Sequence, residues 1–360
     1  MNNEELLKEL GILVALDSPS GFEEPVIRYT RNKFEKMGYK VTQDVRGNIY
    51  AAKKGMNSNA PCVMVMAHGD EIGFIVTGIT SDGFLRFAKL GGATDMVLPG
   101  GRVRVMSTTG SLEGTIGVKP GHILAGDEAR RVPSVKEMYI DIGATSSEVV
   151  KSWGVEIGTP AVFSNEFVST HNQDRIFGKA LDDRAGILTV LIVAEALKSI
   201  KLFPTVVFSI TVEEEVGLRG AEVASQHIQP DVVIAIDTSP AGGTPDLSPE
   251  ELPLIIGKGP AIKVCEIHGL ITHRPLRELF RKIAEQHKIP YQWIVDTAGK
   301  TDAASAQQAG AQIAAISLGI PRRYSHSAVE MIDLNDVKAL ITLIVKTLPE
   351  LKSKGILLKK

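Results

Sequence analysis

Residues 205–219 read TVVFSITVEEEVGLR, an apolar run that turns abruptly acidic. Val206, Val207, Phe208, Ser209 and Ile210 give an almost unbroken β-branched and apolar pattern, that of a strand buried on both faces. Three carboxylates follow in succession, Glu213, Glu214 and Glu215. After Gly217 the segment LRGAEVASQH is predicted helical. Like charges this close stay ionised together only where cations neutralise them or water solvates them. A solvated loop accounts for one such triplet taken alone. Other strands of this chain end in the same way, and that recurrence points to a shared crevice.

Residues 61–67, PCVMVMA, form a second buried strand that ends in His68, Gly69, Asp70 and Glu71. Residues 231–236, DVVIAI, form a third, followed by Asp237, Thr238 and Ser239. Residues 312–318 form a fourth and lead through GIPRRYSHS to His326. Asp182 and Asp183 stand just before a long predicted helix, ILTVLIVAEALKS, residues 187–199. Further helices are predicted over residues 4–16, 24–37, 275–287 and 333–348, and two short strands over residues 40–44 and 48–53. Buried strands alternating with helices predict an α/β fold, a mostly parallel sheet sandwiched by helices.

The style changes over residues 72–163. Gly is frequent, helical periodicity nearly vanishes, and short alternating runs recur from Phe74, Arg102, Ser111 and Met138. One short helix is predicted near residues 146–153. The segment reads as a small β-rich domain inserted into a catalytic domain formed by residues 1–71 and 164–360.

The chain's 360 residues exceed the usual single core. Forty Lys and Arg against 42 Asp and Glu leave a net charge of -2, which argues against a nucleic-acid or anionic-membrane partner. No apolar run is long enough to span a membrane, and the acidic, amphipathic N-terminal stretch does not resemble a signal peptide. Cys62 and Cys265 sit among apolar neighbours and read as buried thiols, not as a redox pair or zinc ligands. A reducing, cytoplasmic location is the expectation.

In an open α/β sheet, ligands bind beyond the carboxyl ends of the strands. His68, Asp182, Glu215, Asp237 and His326 would supply nitrogen and oxygen donors there. Such a set suits Zn²⁺, Co²⁺ or Mn²⁺ and excludes copper(I) and iron–sulfur clusters, which call for thiolates. A single catalytic zinc needs three protein ligands; five ligands serve two ions if one carboxylate bridges them. Each residue also has a plainer reading. His68 could be a core histidine, Asp182 and Asp183 a helix cap, Asp237 a turn former and His326 part of a surface loop. His122, His171, His227, His268, His273 and His287 lack the strand-end setting and read as structural or surface residues. A G-x-S-x-G elbow, a P-loop and a dinucleotide fingerprint are all missing.

Five motifs occur in order: H-G-D after a strand, A-L-D-D-R-x-G, E-E-V-G-x-x-G-A, V-x-x-x-D-T-S and R-Y-S-H-S. With them the whole chain resembles the tetrahedral (TET), deblocking or glutamyl aminopeptidases, dinuclear-metal exopeptidases whose relatives also carry the label endoglucanase. The resemblance implies two divalent ions, zinc or cobalt with manganese as a further candidate, and peptide substrates. It implies that His68, Asp237 and His326 are metal ligands, with Asp70 orienting His68. It implies Asp182 as the bridging carboxylate, Glu214 as general base and Glu215 as a ligand, which leaves Glu213 outside the motif. The insert would be a PDZ-like domain for dimerisation, with dimers assembling into a tetrahedral dodecamer. Where the family tends to a G-G-G-T-D-A turn, this chain has Ala298, Gly299, Lys300, Thr301, Asp302 and Ala303. Lys300 would either reach the substrate or point to solvent. The competing chemistry is that of a related dinuclear amide hydrolase, an acyl-amino acid deacylase or a carboxypeptidase. Glycoside hydrolysis is the weaker rival, because a histidine-rich ligand set has no part in it.

Overall fold

The protein is described by a computed structural model over residues 3–310 and 312–358. Two helices open the chain, α1 (Asn3–Val14) and α2 (Glu24–Lys36), followed by an antiparallel pair, β1 (Val41–Gln43) and β2 (Ile49–Lys53), and by β3 (Cys62–His68). Six strands come next: β4 (Gly73–Ile79), β5 (Leu85–Leu90), β6 (Arg102–Ser107), β7 (Gly110–Gly117), β8 (Tyr139–Asp141) and β9 (Pro160–Phe163), with α3 (Ser147–Ser152) between the last two. They close into a barrel in the order β4-β5-β8-β7-β6-β9. Closure explains why the segment tolerates short strands, since a barrel leaves no unpaired edge. Phe74 packs edge-to-face against Phe87 and Phe163 in its core, with ring centroids 5.2 and 5.0 Å apart.

The remaining elements return to the first sheet. They are β10 (Val168–Ser169), β11 (Arg175–Gly178), α4 (Leu181–Leu197), β12 (Thr205–Thr211), α5 (Arg219–Ile228), β13 (Val232–Pro240), β14 (Ala261–Glu266), β15 (Leu270–Ile271), α6 (Arg274–Gln286), β16 (Gln292–Asp296), α7 (Asp302–Ala309), β17 (Ala314–Arg323), β18 (Glu330–Asp333) and α8 (Leu334–Thr347). This sheet has 12 strands, and its spine runs β1-β2-β12-β3-β13-β17-β18-β11-β10. The four central strands, β12, β3, β13 and β17, are parallel, with antiparallel flanks. Burial on both faces is why their sequences are nearly continuous apolar runs. Val63, Val65 and Ala67 of β3 face the cluster packed by α1, α2, α4, α6 and α8, whereas Met64 and Met66 face α5 and α7.

The structure modifies several expectations. Strand β13 runs on through Pro240, so Asp237 lies within the strand and not beyond it. Strands β5, β9, β14 and β18 carry no clear periodic signal and go unread in the sequence. Cys62 and Cys265 are free thiols but only half-buried, so the expectation of buried thiols holds in part. No helix among the described residues is long and apolar enough to cross a membrane.

A buried ionic network joins barrel and sheet. Arg184, fully buried at the start of α4, donates to the carbonyls of Leu13, Leu16 and Gly69 and to Glu71 Oε1 at 3.0 Å. Lys179 donates to both Glu71 oxygens, at 2.9 and 2.7 Å, and lies 3.1 Å from Asp17. Asp17 in turn accepts from Arg104 of the barrel at 2.8 Å. Removing one member of a buried charge network leaves its partners uncompensated. Arg184→Met is therefore expected to lose about 3–5 kcal/mol of stability in a denaturant titration. A loss below ~1 kcal/mol would contradict the role given to this hub.

Candidate metal centre

The side chains converge at the carboxyl-end side of the parallel strands β3, β12, β13 and β17. His68, the last residue of β3, is 2 % exposed. Its Nδ1 lies 3.1 Å from the backbone carbonyl of Asp70 and 3.5 Å from Asp70 Oδ1. That leaves Nε2 directed at Asp182 Oδ1, 3.2 Å away, and Asp237 Oδ1, 3.8 Å away. The other oxygen of Asp182 lies 3.4 Å from His326 Nε2, which is 3.5 Å from Glu215 Oε2. Two donor groups result, one from His68, Asp182 and Asp237, the other from Asp182, Glu215 and His326, each with its donor atoms within 4.8 Å of one another. Asp182 belongs to both. A third overlapping group joins His68 to Glu214 and Glu215.

The turn after β12 explains the Glu triplet. Glu213 takes a left-handed conformation, φ 55°, and sends its carboxylate outward to Arg46 at 2.8 Å and Arg219 at 3.6 Å. Its N–H donates to Glu23 Oε1. The next two N–H groups, of Glu214 and Glu215, donate to Asp70 Oδ1 and Oδ2 at 2.9 and 3.1 Å, and Ser20 Oγ donates to Oδ2 at 2.6 Å. The Asp70 carboxylate thus anchors this turn more closely than it touches His68. Asp183 supplies the helix cap, accepting from Gly186 N at 2.9 Å, while Asp182 faces the crevice. The barrel borders the second group. A Cβ at Gly92 would sit 2.6 Å from His326 Nδ1, so only glycine permits that approach.

Burial, followed by the charges of Asp237, Glu215 and Asp302, holds the Glu214 carboxyl well above its ordinary range despite the nearby His68. Burial and Asp182 push Glu215 up to about 8. Burial alone would lower the two imidazoles, but the surrounding carboxylates outweigh it, raising His68 strongly and His326 to about 9. Asp182 moves the other way, because Arg322 and the two histidines overcome its burial. Glu215 Oε1 and Asp302 Oδ1 are buried with no hydrogen-bond partner among the described residues. Orphaned carboxylate oxygens beside paired imidazoles fit a site built for cations, and the nitrogen and oxygen donors fit zinc, cobalt or manganese.

All seven residues singled out in the sequence therefore meet in one crevice. Sequence reasoning missed Arg322, Glu330, Glu23 and Asp302. Arg322 was visible only as one of two arginines in PRRY, and Glu330 as an acid four residues after His326. Lys300 is exposed, its stem resting against Gly269.

Residues 47–343 match the family described as M42 glutamyl aminopeptidase. The chain belongs to that family. It is 34 % identical over 359 residues to a lysyl aminopeptidase of Pyrococcus furiosus, covering 97 % of each chain. Its structure superposes on a TET aminopeptidase from a marine-sediment Thaumarchaeota archaeon with a TM-score of 0.94 and 33 % identity, covering 99 % of each chain. A Pyrococcus horikoshii TET1 peptidase, described as assembling into a tetrahedron or a large octahedral shell, gives 0.84 at 32 % identity, covering 97 % of this chain and 100 % of the other. Family membership makes the chain an aminopeptidase, a hydrolase of peptide bonds.

Glu23 and Asp302 are raised to about 7, chiefly by burial. With Glu215 and His326 they bind protons more tightly in the folded chain than in the unfolded one. Their stabilisation is complete below the unfolded values and is lost as the pH climbs through about 7 to 9. Asp182, shifted downward, stays ionised throughout that window. Chelator-treated protein is therefore expected to melt at a lower temperature at pH 9 than at pH 6 in scanning calorimetry. An unchanged or rising melting temperature would contradict these shifts.

Proposed function

We propose that the chain removes N-terminal residues from peptides with two divalent ions that share Asp182. The observation that carries this reading is the pair of donor groups meeting at the two oxygens of one carboxylate. His68 and Asp237 complete one group; Glu215 and His326 complete the other. When bound, the ions supply Lewis acidity, polarising the scissile carbonyl and making the attacking water more acidic. Glu214 accepts the proton of that water and passes it to the leaving amine. Its burial beside His68 and Glu215 places it where such a proton would be exchanged. Asp70 holds Glu214 and Glu215 through their backbone N–H groups, which keeps base and ligand in register.

Residues 72–163 act in this reading as the inserted assembly domain, taking the part that the PDZ-like insert plays in the resemblance. The catalytic domain is formed by residues 1–71 and 164–360. The network through Arg104 and Asp17 would carry the barrel's orientation to the His68 turn. Higher assembly of copies of this chain, as in the TET1 peptidase, is part of the proposal.

A free amine separates this activity from that of a deacylase. The metal-loaded wild type is expected to cleave aminoacyl substrates with a free amine and to spare their N-acetylated counterparts. Glu214→Gln should keep its metal content and fold while kcat falls by about 10²–10⁴-fold. Cleavage of acetylated substrates would overturn the aminopeptidase reading, and near-normal turnover by Glu214→Gln would overturn the assignment of the base.

A further inference from the structure

The two donor groups are matched in composition, each with one imidazole and two carboxylates. Their surroundings are not matched. Arg322, the penultimate residue of β17, is 3 % exposed and lies in the same crevice. Its Nη2 lies 2.8 Å from Asp182 Oδ2 in a buried ion pair, and its Nη1 pairs with Glu330 Oε1. Oδ2 is the oxygen that faces His326. The oxygen paired with the guanidinium is thus Oδ2 and not Oδ1, which faces His68. Lys263 adds positive charge near Asp237, but its ammonium is held by Glu266 at 3.1 Å and Asp296 at 3.0 Å, not by the ligand carboxylate.

We propose that Arg322 makes the two cation sites unequal by competing with a divalent ion for Asp182 Oδ2. The group of Asp182, Glu215 and His326 then binds its ion more weakly than the group of His68, Asp182 and Asp237. A carboxylate oxygen already paired with a guanidinium has less charge to offer a metal, and a fixed cation repels a second cation across low-dielectric surroundings. Arg322 acts through Asp182 and is a positioning residue. Glu330 keeps it in place and also accepts from the backbone N–H groups of Asp182 and His326, at 3.0 and 3.2 Å. Glu330 therefore ties the guanidinium to the backbones that carry Asp182 and His326. The inference rests on the two-ion reading above.

The test is uptake of Zn²⁺ by chelator-stripped full-length protein across a buffered series of free Zn²⁺, read as bound equivalents by elemental analysis. Wild type is expected to fill in two separate steps. Arg322→Met should tighten the second step by about 10–100-fold, the range typical of groups that contact a ligand, and leave the first unmoved. Loss of Arg322 also uncovers the charge of Glu330, which could by itself attract an ion. The double variant Arg322→Met/Glu330→Gln keeps the original net charge and should retain the tightening. Two equivalents bound in a single step by wild type would overturn the proposal. So would a second step that Arg322→Met leaves unmoved, or a return to wild-type behaviour in the double variant. Saturation of wild type and both variants at one equivalent would instead overturn the two-ion reading, and the proposal with it.

Discussion

Asp182, Glu214, Glu215 and Asp237 are packed together at the sheet's carboxyl edge, mostly out of reach of water. Carboxylates that close, with so little water, cannot all hold their charge without cations. The chain answers with protons, with His68 and His326, and with Arg322. The parallel strands exist to bring these residues to one edge. The long apolar runs exist to bury those strands. The turn after β12 takes a left-handed residue so that one glutamate leaves the crevice while two enter it.

Much of this was legible in the sequence because two signals coincided. Apolar runs marked the central strands, and acids or histidines at their ends marked the crevice. The same logic failed where burial and polarity are mixed. Strand β14 carries Lys263, fully buried against Glu266 and Asp296, so its sequence does not look like an interior strand. Strand β18 is four residues long and two of them are acids. Arg322 is the penultimate residue of a strand whose earlier positions read as largely apolar, and a buried arginine is recognisable only once its partners are placed around it. The split between Asp182 and Asp183 was open as well. One caps a helix and the other faces the site, a distinction that depends on backbone direction and not on residue type.

The barrel contributes to the site by proximity as well as by attachment. Gly91 and Gly92, just past β5, lie against Glu215 and His326. Arg104 on β6 ties the barrel to Asp17, and through Lys179, Glu71 and Arg184 to the turn that presents His68. Both donor groups therefore touch elements that answer to the barrel's position. A surface that brought barrels of several copies together would act on a site already coupled to it.

In the proposed function, Asp182 is shared between two divalent ions. Crystals of the zinc-loaded protein, measured on both sides of the zinc absorption edge, test it most directly. Two anomalous peaks are expected to flank Asp182, one among His68 and Asp237 and the other among Glu215 and His326. A single peak, or two peaks with Asp182 bound to only one of them, would contradict it.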